Sequence, residues 1–400
     1  MELVFTTGAR FERSLDGKIY SVTDSFNMDI WNRYLAVYNH LYIIARVGDS
    51  LKEYPKELLA ESDKVTFICL PCYKGINGYL KERKRIYRIV RNNIDKKYNY
   101  ICRVPGIIGS VVSRELRKNN IPYGVEVVGD PWTVFSFQNI RNILSPFLRM
   151  QGYLSLRKVV RGASAALYVT ANQLQNRYPA RKGVFTINAS DVNLPSELIC
   201  LQPKEFRKRR ETDIVKLISI GSLEQLYKSP DVVIKSIKLL SDKKINCRLT
   251  WVGDGAYKER MIALSKDLGV FDKVLFIGKV VPSKVREYLL DSDIFILVSR
   301  SEGLPRAVIE AMSVGLPCIG TRIGGIPELL ENEVLIKPND EYALADEIDL
   351  FVNNSTFVNM QAKRNLLESR KYAQSLLEQK RQTFYKSLIK LSNSDDIDKR

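Results

Sequence analysis

Histidine is almost missing from this chain, with His40 alone in 400 residues, and cysteine is scarce, with six. Cys69 and Cys72 form a lone CxxC inside VTFICLPC. A zinc site needs a second such pair or histidines at suitable spacing, so no metal is expected and the cysteines read as buried apolar residues. Long apolar runs are lacking too: none approaches the roughly 20 residues that span a bilayer. The first residues, MELVFTTGARFERSLDG, hold only a five-residue apolar run. That is too short for the apolar region of a signal peptide, and the cytoplasm is the expected compartment. Internal repeats and low-complexity tracts are also absent.

What is present suffices for ordinary cores: 45% of residues are hydrophobic and 27% charged, which argues against disorder. This length suits two or three domains. The net charge of +17 is uneven, with +12 in residues 1–200 and +5 in residues 201–400. The richest stretch, Lys74 to Lys97, sets nine basic residues against two acidic ones. Its Leu80, Ile86, Ile89, Val90 and Ile94 can share a helical stripe. Such a helix either lies on anionic lipid or covers a sheet with a solvated basic face. Nucleic acid is not expected as a partner, because no stacking motif is interleaved with the basic residues.

Short β-branched or aromatic runs alternate with helical patterns. Seven strand candidates, from ELVFTT to GVFTIN, precede a break, and six, from IVKLISIG to EVLIKP, follow it. This alternation predicts parallel sheets with helices on both faces, and thirteen strands suit two sheets. The polar stretch 189–213 is read as the linker. The expected domains are therefore 1–188 and 214–370, both doubly wound, with a C-terminal helix and tail over 371–400. Ligands of such folds sit where strand ends meet helix N-termini.

The stretch SRSEGLPRAVIEAM places Glu302 in a Gly-Pro turn and Glu310 inside a helix. Pro305 suits a first helical position, and Gly315 suits the stop. Spacing alone makes Glu310 a solvated glutamate paired with Arg306. Glu302, just before the helix, is either a plain favourable charge or the flank of a phosphate site.

The segment SEGLPRAVIEAMSVGLPCIGTRIGGIPELL resembles the signature of glycosyltransferase family 4, retaining nucleotide-sugar enzymes of GT-B fold, with the E-x7-E spacing met by Glu302 and Glu310. GSLEQLYKSPDVVIKSI, LTWVGDGAYKERMIAL and DKVLFIGKV are similar to the family's other blocks, so the resemblance covers nearly all of 214–332. It implies two Rossmann-like domains facing across a cleft, an N-terminal acceptor domain and a C-terminal donor domain, with the last helix crossing back. It further implies that Glu310 accepts from the ribose hydroxyls, that Glu302 contacts the transferred sugar, and that amides from Gly303, Leu304 and Arg306 hold the diphosphate. Lys228 matches the diphosphate lysine, and Val280 falls where backbone meets the base.

The sequence departs from the family pattern in three places. Ser222 stands where the family has an arginine after a glycine, so Arg306 or an N-domain residue is left to replace that charge. The usual N-domain histidine has no counterpart in VVGDPW, where Asp130 either fills part of that catalytic role or caps the turn. The glycine-rich first loop is reduced: Gly8 ends the first strand, and Gly17 is the best match for the donor-contacting turn. His40, at a strand entry, reads as structural. Asp291-Ser292-Asp293 imitates a metal-binding DxD but matches a structural block.

The implied activity is metal-independent, retaining transfer of a sugar from a nucleoside diphosphate, UDP favoured over GDP, to a hydroxyl of a lipid-linked saccharide in surface polysaccharide, lipopolysaccharide or exopolysaccharide assembly. No cofactor is expected. The basic N-terminal half implies a peripheral position on the inner face of the cell membrane, through Arg83, Lys84, Arg85 and Arg88 and through RMQGYLSLRKVVRG. The competing reading is a sugar-nucleotide-binding protein of the same fold that is catalytically impaired.

Overall fold

The computed structural model describes residues 1–22, 26–134, 145–207, 210 and 212–397, except the side chains of Ile76, Pro282 and 393–397. Residues 208, 209 and 211 of the expected linker and 398–400 of the tail lie outside the described residues. The chain forms two compact units. The first comprises Met1–Pro131, Met150–Ala189 and Glu378–Arg400; the second comprises Trp132–Arg149 and Ser190–Leu377. The expected boundaries differ from this division. Residues 132–149 go with the second unit, the stretch read as linker packs there too, and only the part from Glu378 onward joins the first unit.

The first unit is built on β1 (Glu2–Arg13), β2 (Ile19–Ser21), β3 (His40–Asp49), β4 (Val65–Pro71), β5 (Asn99–Val104), β6 (Gly124–Val127), β7 (Ala165–Tyr168) and β8 (Phe185–Asn188). Their order is β4-β3-β1-β5-β6-β7-β8, all parallel, with β2 antiparallel on β1. The central strands are covered on both faces, so they read as nearly continuous apolar runs, and Leu3, Val4, Phe5, Ile43, Ile44 and Ile101 are fully buried. Gly8 does not end the first strand. The strand passes a register shift between Thr6 and Arg10 and continues to Arg13, where Asp16 and Gly17 turn it into β2. Gly17 has φ +78° there, and the Lys18 amide donates to Asp16 Oδ1. This is hairpin chemistry.

The last helix, Gln374–Ile397, seals this unit with Phe384, Tyr385 and Leu388, each at most 3% exposed. Gly124 admits it: a Cβ there would stand 2.6 Å from Leu388. A separate helix, Ser355–Ser369, precedes the last one across a 3-10 turn at Arg370–Tyr372.

The second unit carries β9 (Val215–Ile220), β10 (Cys247–Val252), β11 (Val274–Gly278), β12 (Ile294–Leu297), β13 (Cys318–Thr321) and β14 (Leu335–Ile336). The order is β11-β10-β9-β12-β13-β14, all parallel. All thirteen expected strands are present, and β2 is added. The order reverses between β9 and β12, so the loops leaving these two strands diverge and open a crevice at their carboxyl ends.

The expectation of uniformly buried cysteines is corrected. Cys102, Cys247 and Cys318 are buried, Cys69 and Cys200 are half-buried, and Cys72 is exposed at the end of β4. His40 enters β3, bonds Thr66 Oγ1 at 2.9 Å and packs on the Tyr42 ring. Among the described residues no helix is long and apolar enough to cross a membrane.

Candidate active site

The crevice at the reversal point is lined by the loop after β9, residues 221–229, and the loop after β12, residues 298–305. The first loop ends in a 3-10 turn, Leu226–Lys228, and Ser229 at φ +53° starts the helix Pro230–Asp242. This turn brings Lys228 back over Gly221, where a Cβ would stand 2.8 Å from the lysine's Cγ. In the second loop, Pro305 is extended and caps the helix Arg306–Ser313. The proline is thus one residue before the first helical position expected for it.

Lys228 Nζ and Glu302 Oε1 meet at 2.5 Å, with side chains 12% and 9% exposed. The Ser299 hydroxyl donates to the same carboxylate oxygen at 2.6 Å, and Thr321 donates to the Ser299 carbonyl at 2.7 Å. Arg300 braces both loops from behind. Its guanidinium bonds Asp231 Oδ2 at 2.7 Å and the Leu226 carbonyl at 2.5 Å, and its amide donates to the Tyr227 carbonyl. Ser301 reaches Thr133, 3.1 Å away, in the inserted segment. Sequence reasoning missed Ser299, Arg300, Thr321, Asp231 and Thr133. A pattern of short polar residues after a buried strand hints at the serines, but no one-dimensional signal joins Arg300 to Asp231.

Glycines press neighbouring loops onto this pair. A Cβ on Gly324, which has φ +55°, would stand 2.1 Å from the Glu302 carbonyl oxygen, and one on Gly325 would stand 2.6 Å from that of Gly303. The Gly325 amide donates to the Gly303 carbonyl at 2.6 Å. On the other side, Gly253 and Gly255 abut the backbone of Gly221 and of Leu223–Glu224, where a Cβ would come within 2.0–2.2 Å. Only bare backbone fits at these approaches.

Glu310 is half-buried on the helix Arg306–Ser313, not solvated. Burial raises its carboxyl above the usual range, with the Arg306 charge opposing. No described residue donates a hydrogen bond to its carboxylate, whereas Arg306 is exposed. A half-buried carboxylate without protein donors is suited to accept from a ligand's hydroxyls. Gly303 and Leu304 are half-buried in the turn, Ser222 is exposed at the end of β9, accepts from the Glu224 amide and donates to the Asp254 carbonyl, and Val280 follows the end of β11 at the same edge of the sheet.

Two expected site residues lie in the first unit. Gly17 is exposed at the hairpin tip. Asp130, read either as part of the catalytic role or as a turn cap, has a side chain 0% exposed; Arg177 Nη1 donates to Oδ2, and the Tyr178 hydroxyl donates to Oδ1 at 2.6 Å. This makes it a buried anchor for the helix Gln173–Arg177. Asp291 and Asp293 sit at the amino end of β12, away from Glu302, bonded to Lys216 and Lys204. Among the described residues no group of three His, Cys, Asp or Glu could hold a metal.

Residues 202–371 match the family model described as Glycosyl transferases group 1. Protein CapJ of Staphylococcus aureus is 28% identical over 382 residues, 93% of this chain and 90% of that protein. Two solved GT-B structures share the fold. Sucrose-phosphate synthase of Thermosynechococcus elongatus superposes with TM-score 0.72 at 14% identity, covering 98% of this chain and 100% of its own. Anabaena HepE in complex with UDP superposes with TM-score 0.64 at 15% identity, covering 95% and 98%.

Proposed function

We propose, from the premise that residues 202–371 belong to the group 1 glycosyltransferases, that the protein moves a sugar from a nucleoside diphosphate to a saccharide hydroxyl. The observation that carries this reading is the buried Lys228–Glu302 pair at the N-terminal end of the helix bearing Glu310. A diphosphate there would meet the lysine and the free amides of the helix start. The ribose hydroxyls would supply the donors that Glu310 lacks. In the transfer, the bond between the anomeric carbon and the phosphate oxygen breaks, and the acceptor oxygen takes its place. The acceptor's proton goes to the departing phosphate, and configuration is retained by attack on the same face. Glu302 would stabilise positive character on the sugar, and Lys228 the charge left on the diphosphate. No residue is assigned to a metal.

UDP is the favoured nucleotide, in line with the UDP bound in HepE, and the setting is polysaccharide assembly on a lipid-linked acceptor. Thermal denaturation with UDP, GDP, ADP and their sugars tests the donor site. At a hundred times Kd, binding adds about 2.7 kcal/mol, a shift of roughly 5 °C or more for a unit of this size. Glu310→Ala should weaken that nucleotide about tenfold or more by removing charge-assisted hydrogen bonds. No shift with any nucleotide refutes the reading. The impaired-binder alternative is favoured by Ser222, which brings no positive charge to the crevice. A nucleotide shift without any donor hydrolysis or transfer would select it.

The first unit supplies a membrane surface on this reading. Arg83, Lys84, Arg85 and Arg88 are all exposed on the helix Gly75–Asn92, whose Ile86 and Val90 are buried. Replacing the four by glutamine should weaken binding to anionic vesicles by roughly a thousandfold at low salt, about 1 kcal/mol per charge, and the difference should shrink as salt rises. Unchanged binding refutes the contact.

A further inference from the structure

A second basic site lies in the first unit, at the carboxyl side of its sheet. The shift in β1 after Thr6 sets Arg10 opposite Arg46 of β3, as Cα partners on adjacent parallel strands. Bulges of this kind re-aim side chains next to binding sites. Two like charges side by side are unfavourable unless something else occupies the space between them. Among the described residues neither arginine has a carboxylate within ion-pair distance. Arg46 is held rigidly instead: it donates to the Gly8 carbonyl and, at 3.2 Å, to the Tyr73 carbonyl, and it lies 4.8 Å over the Tyr73 ring. Its Nε is out of solvent and has no acceptor. Burial and the charge of Arg10 both press on its guanidinium. Glu12, on the same face as Arg10, has its carboxylate engaged by the Tyr54 hydroxyl. Lys74, exposed, follows Tyr73 and starts the helix Gly75–Asn92, which has no side-chain cap.

We propose that Arg10, Arg46 and Lys74 bind an oxyanion of phosphate or diphosphate type carried by the acceptor. Two guanidinium forks, one of them preorganised by backbone carbonyls, suit bidentate contact with such a group. This assignment rests on the glycosyltransferase reading only for the word acceptor. The anion site itself stands on the first unit's own residues.

The test is calorimetric titration of inorganic pyrophosphate into the full chain carrying Lys228→Ala and Glu302→Ala, which removes the ion pair of the donor crevice without leaving either partner unpaired. Saturable binding is expected, weakened about tenfold or more by Arg10→Gln, the loss of one charged donor. The Arg10 side chain has no hydrogen-bond partner among the described residues, so this variant should melt like its parent. No saturable binding, or binding indifferent to Arg10→Gln, overturns the proposal. A short prenyl diphosphate in detergent that binds more tightly than pyrophosphate places the anion on a lipid. Equal affinity places it on a soluble phosphorylated compound. The chain without these substitutions separates the two ideas. If no nucleotide binds it, the transferase reading fails, while Arg10-dependent pyrophosphate binding still decides the anion site.

Discussion

Glu302→Gln should lower kcat by two to three orders of magnitude, about the loss seen when one preorganised charge is removed from a transition state, yet leave nucleoside diphosphate binding intact or tighter. The reason is the contact itself. With side chains 12% and 9% exposed and 2.5 Å between charged atoms, Lys228 and Glu302 neutralise each other. A diphosphate must draw the lysine away from the glutamate, and a neutral glutamine lets it go. Lys228→Ala should act oppositely, weakening nucleotide binding about ten- to a hundredfold. It should also cost about 3 kcal/mol of stability, because Glu302 stays buried without its counter-ion. The double change to alanine should restore that stability and no activity. Steady-state kinetics, nucleotide titration and melting of the three variants check this together. A kcat within twofold of the parent for Glu302→Gln would leave the glutamate a structural partner only.

The second large effect is expected at a residue that touches no ligand. Gly324→Ala drives a Cβ to 2.1 Å from the Glu302 carbonyl oxygen, a backbone atom that cannot rotate away, at φ +55°. The two loops must part, at about 3 kcal/mol or more from strain and overpacking combined. That should lower the melting point by roughly 6–12 °C and remove transfer activity, since Glu302 moves with its backbone. Gly269→Ala is the control, with φ +69° and nothing within 4 Å of the added carbon. It carries the strain alone, about 1–2 kcal/mol. Equal melting of the two variants would mean that the loops yield freely.

What the sequence disclosed and what it hid follow a physical division. Strands were legible because buried parallel strands must be apolar along their length, and β1 to β14 stand out by that rule except β2. The missed β2 follows an Asp16-Gly17 turn, whose aspartate-glycine pair is a hairpin signal in itself; with the first strand ended at Gly8, that pair reads as a donor-contacting turn instead. Glu302 and Lys228 are 74 residues apart, and only the reversal between β9 and β12 joins them. The motif pointed to both, but the ion pair was not in it. Spacing alone makes Glu310 solvated, whereas it is half-buried, because a wheel drawn for one helix knows nothing of the loops packed beside it. Asp130 was open to two readings because nothing in VVGDPW indicates that Arg177 and Tyr178 close over it.

The last helix carries a consequence for how the chain comes to be folded. The first unit needs Phe384, Tyr385 and Leu388 to fill the space above Gly124, and those residues leave the ribosome after the whole of the second unit. Roughly 190 further residues separate β8 from that helix, so the sheet of the first unit must wait, incompletely covered, while the second is synthesised. At ordinary elongation rates of about 5–20 residues per second, the wait is on the order of 10–40 s. Translation order and domain order therefore disagree: the unit begun first is the one completed last. A fragment ending near residue 190 should emerge as a sticky, chaperone-dependent species, and supplying 374–397 as a separate peptide should rescue it.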